Sequence, residues 1–164
     1  MKVFGLAGWS GSGKTTVLVR LVPLLAARGL TVSTVKHAHH GFDIDHPGKD
    51  SHRHRGAGAT EVMVASAKRW ALIRELHEAP EPSLAELLAR MTPVDLVLVE
   101  GFKRDSHPKL EIWRRSNDKP LLCHEDPRIV GVASDEPVAG LPVPRLDLND
   151  PNALTQFIIG HCGL

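Results

Sequence analysis

Two hydrophobic periods divide this chain. Lys2 to Ala7 is a short, nearly unbroken apolar run, followed by a glycine-rich stretch from Gly8 to Gly13. From Lys14 onward, Val17, Leu18, Leu21, Val22, Leu24 and Leu25 recur at helical spacing until Gly29, where a helix-ending glycine belongs. The reading is strand, loop, helix. Pro23 falls inside the helical pattern, but the periodicity continues on both sides, which predicts one bent helix. Thr31 to Lys36 returns as a strand, and a strand-helix-strand unit of this length implies a right-handed parallel crossover. Residues 37–58 have no period and read as a long loop with a helical turn near Asp50 to Arg55; loops of this length in compact domains are usually functional.

Further along, Glu61 to Ser66 and Arg69 to Glu75 flank a two-residue Ala67-Lys68 connection and predict an antiparallel hairpin. Ser83 and Glu86 form a capping box that starts a helix running to Arg90. Asp95 to Glu100 holds four consecutive aliphatic residues, the signature of a strand buried on both faces. Leu110 to Arg114, Ile129 to Ala133 and Val143 to Asp147 are further strands, and Leu110, Ile112 and Trp113 mark the first as an apolar edge available to a second copy. Asp150 caps a terminal helix with Pro151 in its first turn. This order predicts an α/β fold with a mostly parallel, doubly wound sheet and a β-rich insertion or extension, with residues 1–164 as a single domain.

Composition narrows the classes. A chain of 164 residues, 42% hydrophobic, buries enough surface to fold without disulfide or metal staples. Twenty basic against 19 acidic residues leave a net charge of +1, too little for the broad field of a nucleic-acid or membrane-surface protein. No apolar run is long enough to span a bilayer. Cys123 and Cys162 are far apart and read as free thiols in a reducing compartment, so the expected location is cytoplasmic.

The chemistry begins at Gly8-Trp9-Ser10-Gly11-Ser12-Gly13-Lys14-Thr15, which matches the P-loop pattern G-x-x-x-x-G-K-[ST] between a predicted strand and a predicted helix. In such a loop the backbone N–H groups converge on phosphate oxygens, and a side chain at Gly11 or Gly13 is expected to obstruct them. Lys14 neutralises the β- and γ-phosphates and the Thr15 hydroxyl coordinates Mg²⁺. Glu100, ending a buried strand at the sheet's ligand-binding edge, is the expected acidic partner of the metal. Asp43, Asp45 and Asp50 in the long loop are further carboxylates, Asp50 being the strongest candidate for a metal or catalytic contact, and Lys36 is placed to add charge toward phosphate.

Four segments together, GWSGSGKTT, TVKHAHHGFDIDHPGKDSHRHRGAGA, LVLVEGFK and GVASDEP, resemble the molybdopterin-guanine dinucleotide biosynthesis adapter family, MobB, over nearly the whole chain. The resemblance implies a P-loop GTP-binding protein, a slow GTPase at most, that works as a homodimer beside the MobA-type guanylyltransferase attaching GMP to molybdopterin. It carries over phosphate-binding roles to Gly11, Ser12, Gly13, Lys14, Thr15 and Thr16, and an acidic metal role to Glu100. The base-reading sequence N-K-x-D is missing, since Asn117-Asp118-Lys119 has a different order; Asp135 after the Ile129 to Ala133 strand is the substitute carboxylate for guanine.

Two other readings stay open. A small-molecule kinase or ATP-dependent ligase would use the same loop, with Arg53 and Arg55 as lid arginines. A metal-delivery GTPase would use the cluster His37, His39, His40, His46, His52 and His54, of which His37, His39 and His40 are too closely spaced for a tetrahedral site on their own and no cysteine lies within the segment. On the main reading, His37 to Arg55 is a partner-and-anion surface gated by the nucleotide, with its aspartates toward Mg²⁺ and its His and Arg side chains outward.

Overall fold

Periodicity becomes structure with small shifts at the element ends. The computed structural model describes residues 1–38 and 41–164; His39 and His40 of the histidine cluster lie outside the described residues. In chain order the elements are β1 (Lys2–Ala7), α1 (Lys14–Ala26), β2 (Val32–Lys36), α2 (Asp50–Gly56), β3 (Glu61–Ala65), β4 (Trp70–Arg74), α3 (Leu84–Leu88), β5 (Leu96–Glu100), β6 (Lys109–Trp113), β7 (Ile129–Ser134), β8 (Arg145–Asp147) and α4 (Pro151–Cys162). The chain divides into two compact units, one made of Met1–His37 with Met91–Leu164 and the other of Ala38–Arg90. Among the described residues no helix is long and apolar enough to cross a membrane.

The first unit is built on a six-stranded sheet in the order β2-β5-β1-β6-β7-β8, parallel in every pairing. The run Leu96 to Val99 is continuous because β5 is interior: it lies between β2 and β1, and all four side chains are fully buried. The parallel β1-α1-β2 unit is therefore present, but with β5 between its two strands. From β1 the chain builds outward to β2 and β5 on one side, then to β6, β7 and β8 on the other. The order reverses beside β1, and crevices at such points open where strand ends diverge.

Helix α1 buries Val17, Leu21 and Leu25 and turns Val19 to solvent. Pro23 lies within this one helix, and the turn after it closes through the Ala27 N–H donating to the Pro23 carbonyl at 2.9 Å. Asp150 caps α4, its carboxylate accepting from the N–H groups of Asn152 and Ala153 at 3.0 Å each. Both helices pack on the face carrying Phe4, Leu6, Leu98 and Leu110, forming the main core with Leu154 and Ile158. A smaller cluster of Ala7, Cys123, Ile129 and Val132 is covered by Trp113, Leu121 and Leu122. There Glu111, fully buried on β6, accepts from the backbone N–H groups of Leu122 and Cys123 at 2.8 and 2.9 Å and so holds a 3-10 turn against the sheet. Burial, with the neighbouring Glu111 carboxylate, pushes the Cys123 thiol up to about 11.

In one respect the sequence pattern misleads. The strand expected as an exposed edge is interior: β6 pairs with β1 and β7, and Leu110 and Ile112 are buried. Its apolar residues fill the core, so it offers no edge to a second copy.

The second unit is the β-rich insertion, occupying the chain between β2 and β5. Strands β3 and β4 pair antiparallel, with Met63 opposite Leu72 and Ala65 opposite Trp70. Met63, Trp70 and Leu72 are exposed. The Ser83–Glu86 capping box is formed in both directions.

An interior β6 has a measurable consequence. Leu110→Ala is expected to cost about 2–5 kcal/mol of stability in urea unfolding, the range for opening a cavity in a closed core; a loss within experimental error would restore the exposed-edge reading.

Candidate functional site

A parallel sheet brings every strand's C-terminal end to one side, and the glycine-rich loop leaves β1 there. Gly8 has φ 139°, and a Cβ on it would lie 2.5 Å from the Ile112 carbonyl oxygen on β6. Gly11 and Gly13 also have positive φ, at 79° and 93°. A Cβ at Gly11 would meet no protein atom within 4 Å, so backbone conformation is what demands glycine there. Gly13 is the N-cap of α1 and no side chain caps that end, which leaves the helix N-terminus available to an anion. Ser12 is buried, and its hydroxyl has no hydrogen-bond partner among the described residues. Ser10, Thr15 and Thr16 are exposed on the loop and first turn.

Lys14 folds back over this loop. Its ammonium donates to the carbonyls of Gly8 and Trp9 at 3.0 and 2.8 Å. Burial pulls its pKa below the usual lysine range; Glu100 acts in the opposite sense, and Lys103 and Lys36 add to the lowering. The Thr15 hydroxyl donates to the Glu100 carboxylate, 3.1 Å from each oxygen. Parallel register sets Glu100 level with Leu6 on one side and Lys36 on the other, and the Lys36 ammonium lies 3.9 Å from it. Lys14, Thr15, Glu100 and Lys36, named from different parts of the sequence, thus come together at one strand edge. The turn after Glu100 is tight: a Cβ on Gly101, φ 100°, would lie 2.5 Å from the His37 Cβ.

Two further cations at this edge, Arg114 and Lys103, were not named from the linear pattern. Arg114 follows β6 and its guanidinium approaches Gly13, its Nε lying 3.6 Å from where a Cβ there would sit. It donates to Asp135 at 2.6 Å, a pairing set by the neighbouring register of Trp113 with Ser134. Asp135, expected to read a base, therefore has one oxygen committed to Arg114, and the other is buried without a partner among the described residues. The Lys103 ammonium lies 5.1 Å from the centre of the Trp9 ring, and the Trp9 indole N–H donates to the Pro120 carbonyl at 2.8 Å. A residue following a tight turn after a Walker-type carboxylate strand was the one available signal for Lys103; Arg114 had none.

Within the second unit, the expected division of aspartates toward metal and arginines outward does not hold. Arg55 turns inward and pairs with Asp43, Asp45 and Glu75 at 2.8, 3.3 and 2.8 Å. Asp45 also accepts from the Ser51 hydroxyl at 2.7 Å, and hydrogen bonds hold both aspartates below the usual carboxylate range. Asp43 and Asp45 therefore serve this loop's own structure, and Arg55 is no free lid arginine. Asp50 sits in the first turn of α2, exposed. Among the described residues no group of three or more His, Cys, Asp or Glu side chains is arranged to hold a metal.

Residues 3–135 match the family described as molybdopterin guanine dinucleotide synthesis protein B, MobB. The chain is 42% identical over 160 residues to the molybdopterin-guanine dinucleotide biosynthesis adapter protein of Escherichia coli K12, covering 96% of this chain and 91% of that one. It is 41% identical over 161 residues to the protein of the same name from Haemophilus influenzae, covering 95% and 86%. Among solved structures, a MobB homologue from Bacillus stearothermophilus superposes with a TM-score of 0.73 at 27% identity, over 99% of both chains. A molybdopterin-guanine biosynthesis protein B superposes at 0.76 with 26% identity, over 97% of this chain and 99% of that one.

The two glycines should separate in their effects. Gly8→Ala carries both backbone strain and a clash with a β6 carbonyl, whereas Gly11→Ala carries strain alone at about 1–2 kcal/mol. Chemical denaturation of the two variants should rank Gly8→Ala as clearly the more damaging; equal losses would remove the close approach of the loop to β6 from the account.

Proposed function

The chain belongs to the MobB family, and on that premise we propose that it is a GTP-binding adapter of molybdopterin guanine dinucleotide biosynthesis, serving a MobA-type guanylyltransferase in the cytoplasm. The observation that carries the nucleotide part is Lys14: a half-buried cation held by two carbonyls of its own loop, beside an uncapped helix end. Carbonyl dipoles offset only part of a buried charge, so phosphate oxygens compete well for it. Lys36, Lys103 and Arg114 add positive charge along the same edge, against Glu100 and Asp135.

Magnesium fits the donor set. A hydroxyl and a carboxylate that already converge, Thr15 and Glu100, are the hard oxygen ligands this ion takes together with phosphate and water. They are the residues that would hold it, with Asp50 a further candidate, and the bound ion would neutralise charge on the β- and γ-oxygens. On this reading the loop N–H groups and Lys14 bind and orient the triphosphate, Thr16 and Ser12 lie within the phosphate-binding segment, and Lys36 balances Glu100 when the metal is absent. Charge complementarity of this kind favours holding GTP, with hydrolysis at most slow and Lys14, Glu100 and Asp50 its catalytic candidates. Residues 1–164 act as one functional domain, and the chain works as a homodimer. The exposed Met63, Trp70 and Leu72 on the β3–β4 hairpin, rather than β6, supply the apolar surface for a second copy. Molybdopterin, a phosphorylated pterin, is a further candidate ligand beside the partner enzyme.

Calorimetric titration with GTP tests this directly. Lys14→Ala should lower GTP affinity at least about 100-fold while leaving the unfolding midpoint unchanged, because the ammonium binds charge and fills no core. Glu100→Gln should reduce the gain in affinity that Mg²⁺ provides and leave Mg²⁺-free binding within about threefold. The wild-type protein with GTP should co-purify with the guanylyltransferase, and Lys14→Ala should not. GTP binding by Lys14→Ala at wild-type strength would refute the proposal.

A further inference from the structure

Two loops at the same strand edge, one after β6 and one after β7, enclose a cleft of ≈ 320 Å³. Trp113, Asp118 and Lys119 form one wall, and Pro137 and Val138 belong to the other. We propose that this cleft receives the guanine ring of the nucleotide whose phosphates occupy the Gly8–Thr15 loop, and that Asp118, not Asp135, is the carboxylate that reads it. The assignment rests on the nucleotide reading above and names the part of the site that makes it selective.

Position is the first argument. β6 pairs directly with β1, Ala7 lying opposite Glu111, and β7 is the next strand out. Neighbouring strands are about 4.8 Å apart, so their ends lie about 5 and 10 Å along the edge from the phosphate loop, a distance that a ribose bridges. The loop bearing Asp118 is also tied to the phosphate loop, where the Trp9 indole donates to the Pro120 carbonyl at 2.8 Å, and to β6, where the Trp113 indole donates to the Lys119 carbonyl at 2.9 Å. These two bonds fix the backbone just after Asp118, which ends a 3-10 turn at φ 44°. A planar ligand placed between Trp113 and the Pro137-Val138 side would bury apolar surface on both of its faces.

Chemistry is the second. Guanine presents two donors side by side, N1–H and the 2-amino group, and one carboxylate accepts both; adenine presents a bare N1 acceptor at that edge, which a carboxylate repels. Among the described residues the Asp118 carboxylate makes no hydrogen bond or ion pair, and it is exposed at the cleft. Asp135 is committed to Arg114 and does not line the cleft. Asp118 and Lys119 thus supply carboxylate and aliphatic stem from consecutive positions.

Asp118→Asn tests this without disturbing the turn, because asparagine is among the few residues that tolerate positive φ. Affinities for GTP, ATP, xanthosine triphosphate and inorganic tripolyphosphate would be measured with Mg²⁺ for wild type, Asp118→Asn, Asp135→Asn and Val138→Trp. Wild type should prefer GTP. Asp118→Asn should lose at least tenfold for GTP and bind xanthosine triphosphate more tightly than GTP, since the amide can donate to the 2-carbonyl, with tripolyphosphate affinity within twofold of wild type. Val138→Trp, which fills the cleft, should weaken GTP at least tenfold and spare tripolyphosphate. If Asp118→Asn keeps its preference for GTP, if it loses tripolyphosphate in parallel, or if Asp135→Asn produces the exchange, the assignment is wrong while the nucleotide reading stands. Wild-type protein that binds ATP as tightly as GTP would overturn both.

Discussion

Lys14 carries a positive charge into a loop where carbonyl dipoles hold it, and among the described residues no carboxylate accepts a hydrogen bond from it. Much of the surrounding design keeps that charge available. Glu100, the nearest anion by its effect on Lys14, receives the Thr15 hydroxyl and faces Lys36 instead. Asp135 is occupied by Arg114. The anions beside Lys14 thus already have partners within the protein.

Sheet topology makes this arrangement cheap in chain length. Parallel pairing delivers six strand ends to one edge, and order reversal beside β1 places the glycine-rich loop between a strand ending in a carboxylate and a strand followed directly by an arginine. Trp9 then links that loop to the turn after β6 through the Pro120 carbonyl. On the same segment, Glu111 adds a second anchor by accepting from the backbone N–H groups of Leu122 and Cys123.

Local signals were readable where one short stretch of chain decides the outcome. The phosphate loop, the Ser83–Glu86 box and the Asp150 cap all formed as their residues dictate, and the uninterrupted apolarity of Leu96–Val99 correctly announced a central strand. Strand order was not readable in the same way. The apolar residues of β6 look alike whether they line an edge or a core, and only pairing with β1 and β7 decides between them. Side-chain partnerships across distant loops were likewise hidden: Arg55 with Asp43 and Asp45, and Arg114 with Asp135, depend on backbone paths that charge patterns do not encode. The aspartates of the long loop therefore looked metal-directed when two of them are consumed by an arginine.

The claim on which the rest depends is that the Lys14 ammonium is held in reserve for phosphate. A crystal structure of the protein with GTP and Mg²⁺ measures it most directly. The account predicts that Lys14 leaves the Gly8 and Trp9 carbonyls for phosphate oxygens and that the Thr15–Glu100 hydrogen bond opens around the metal. Nucleotide bound elsewhere, or bound at this edge while Lys14 remains on its two carbonyls, would contradict it.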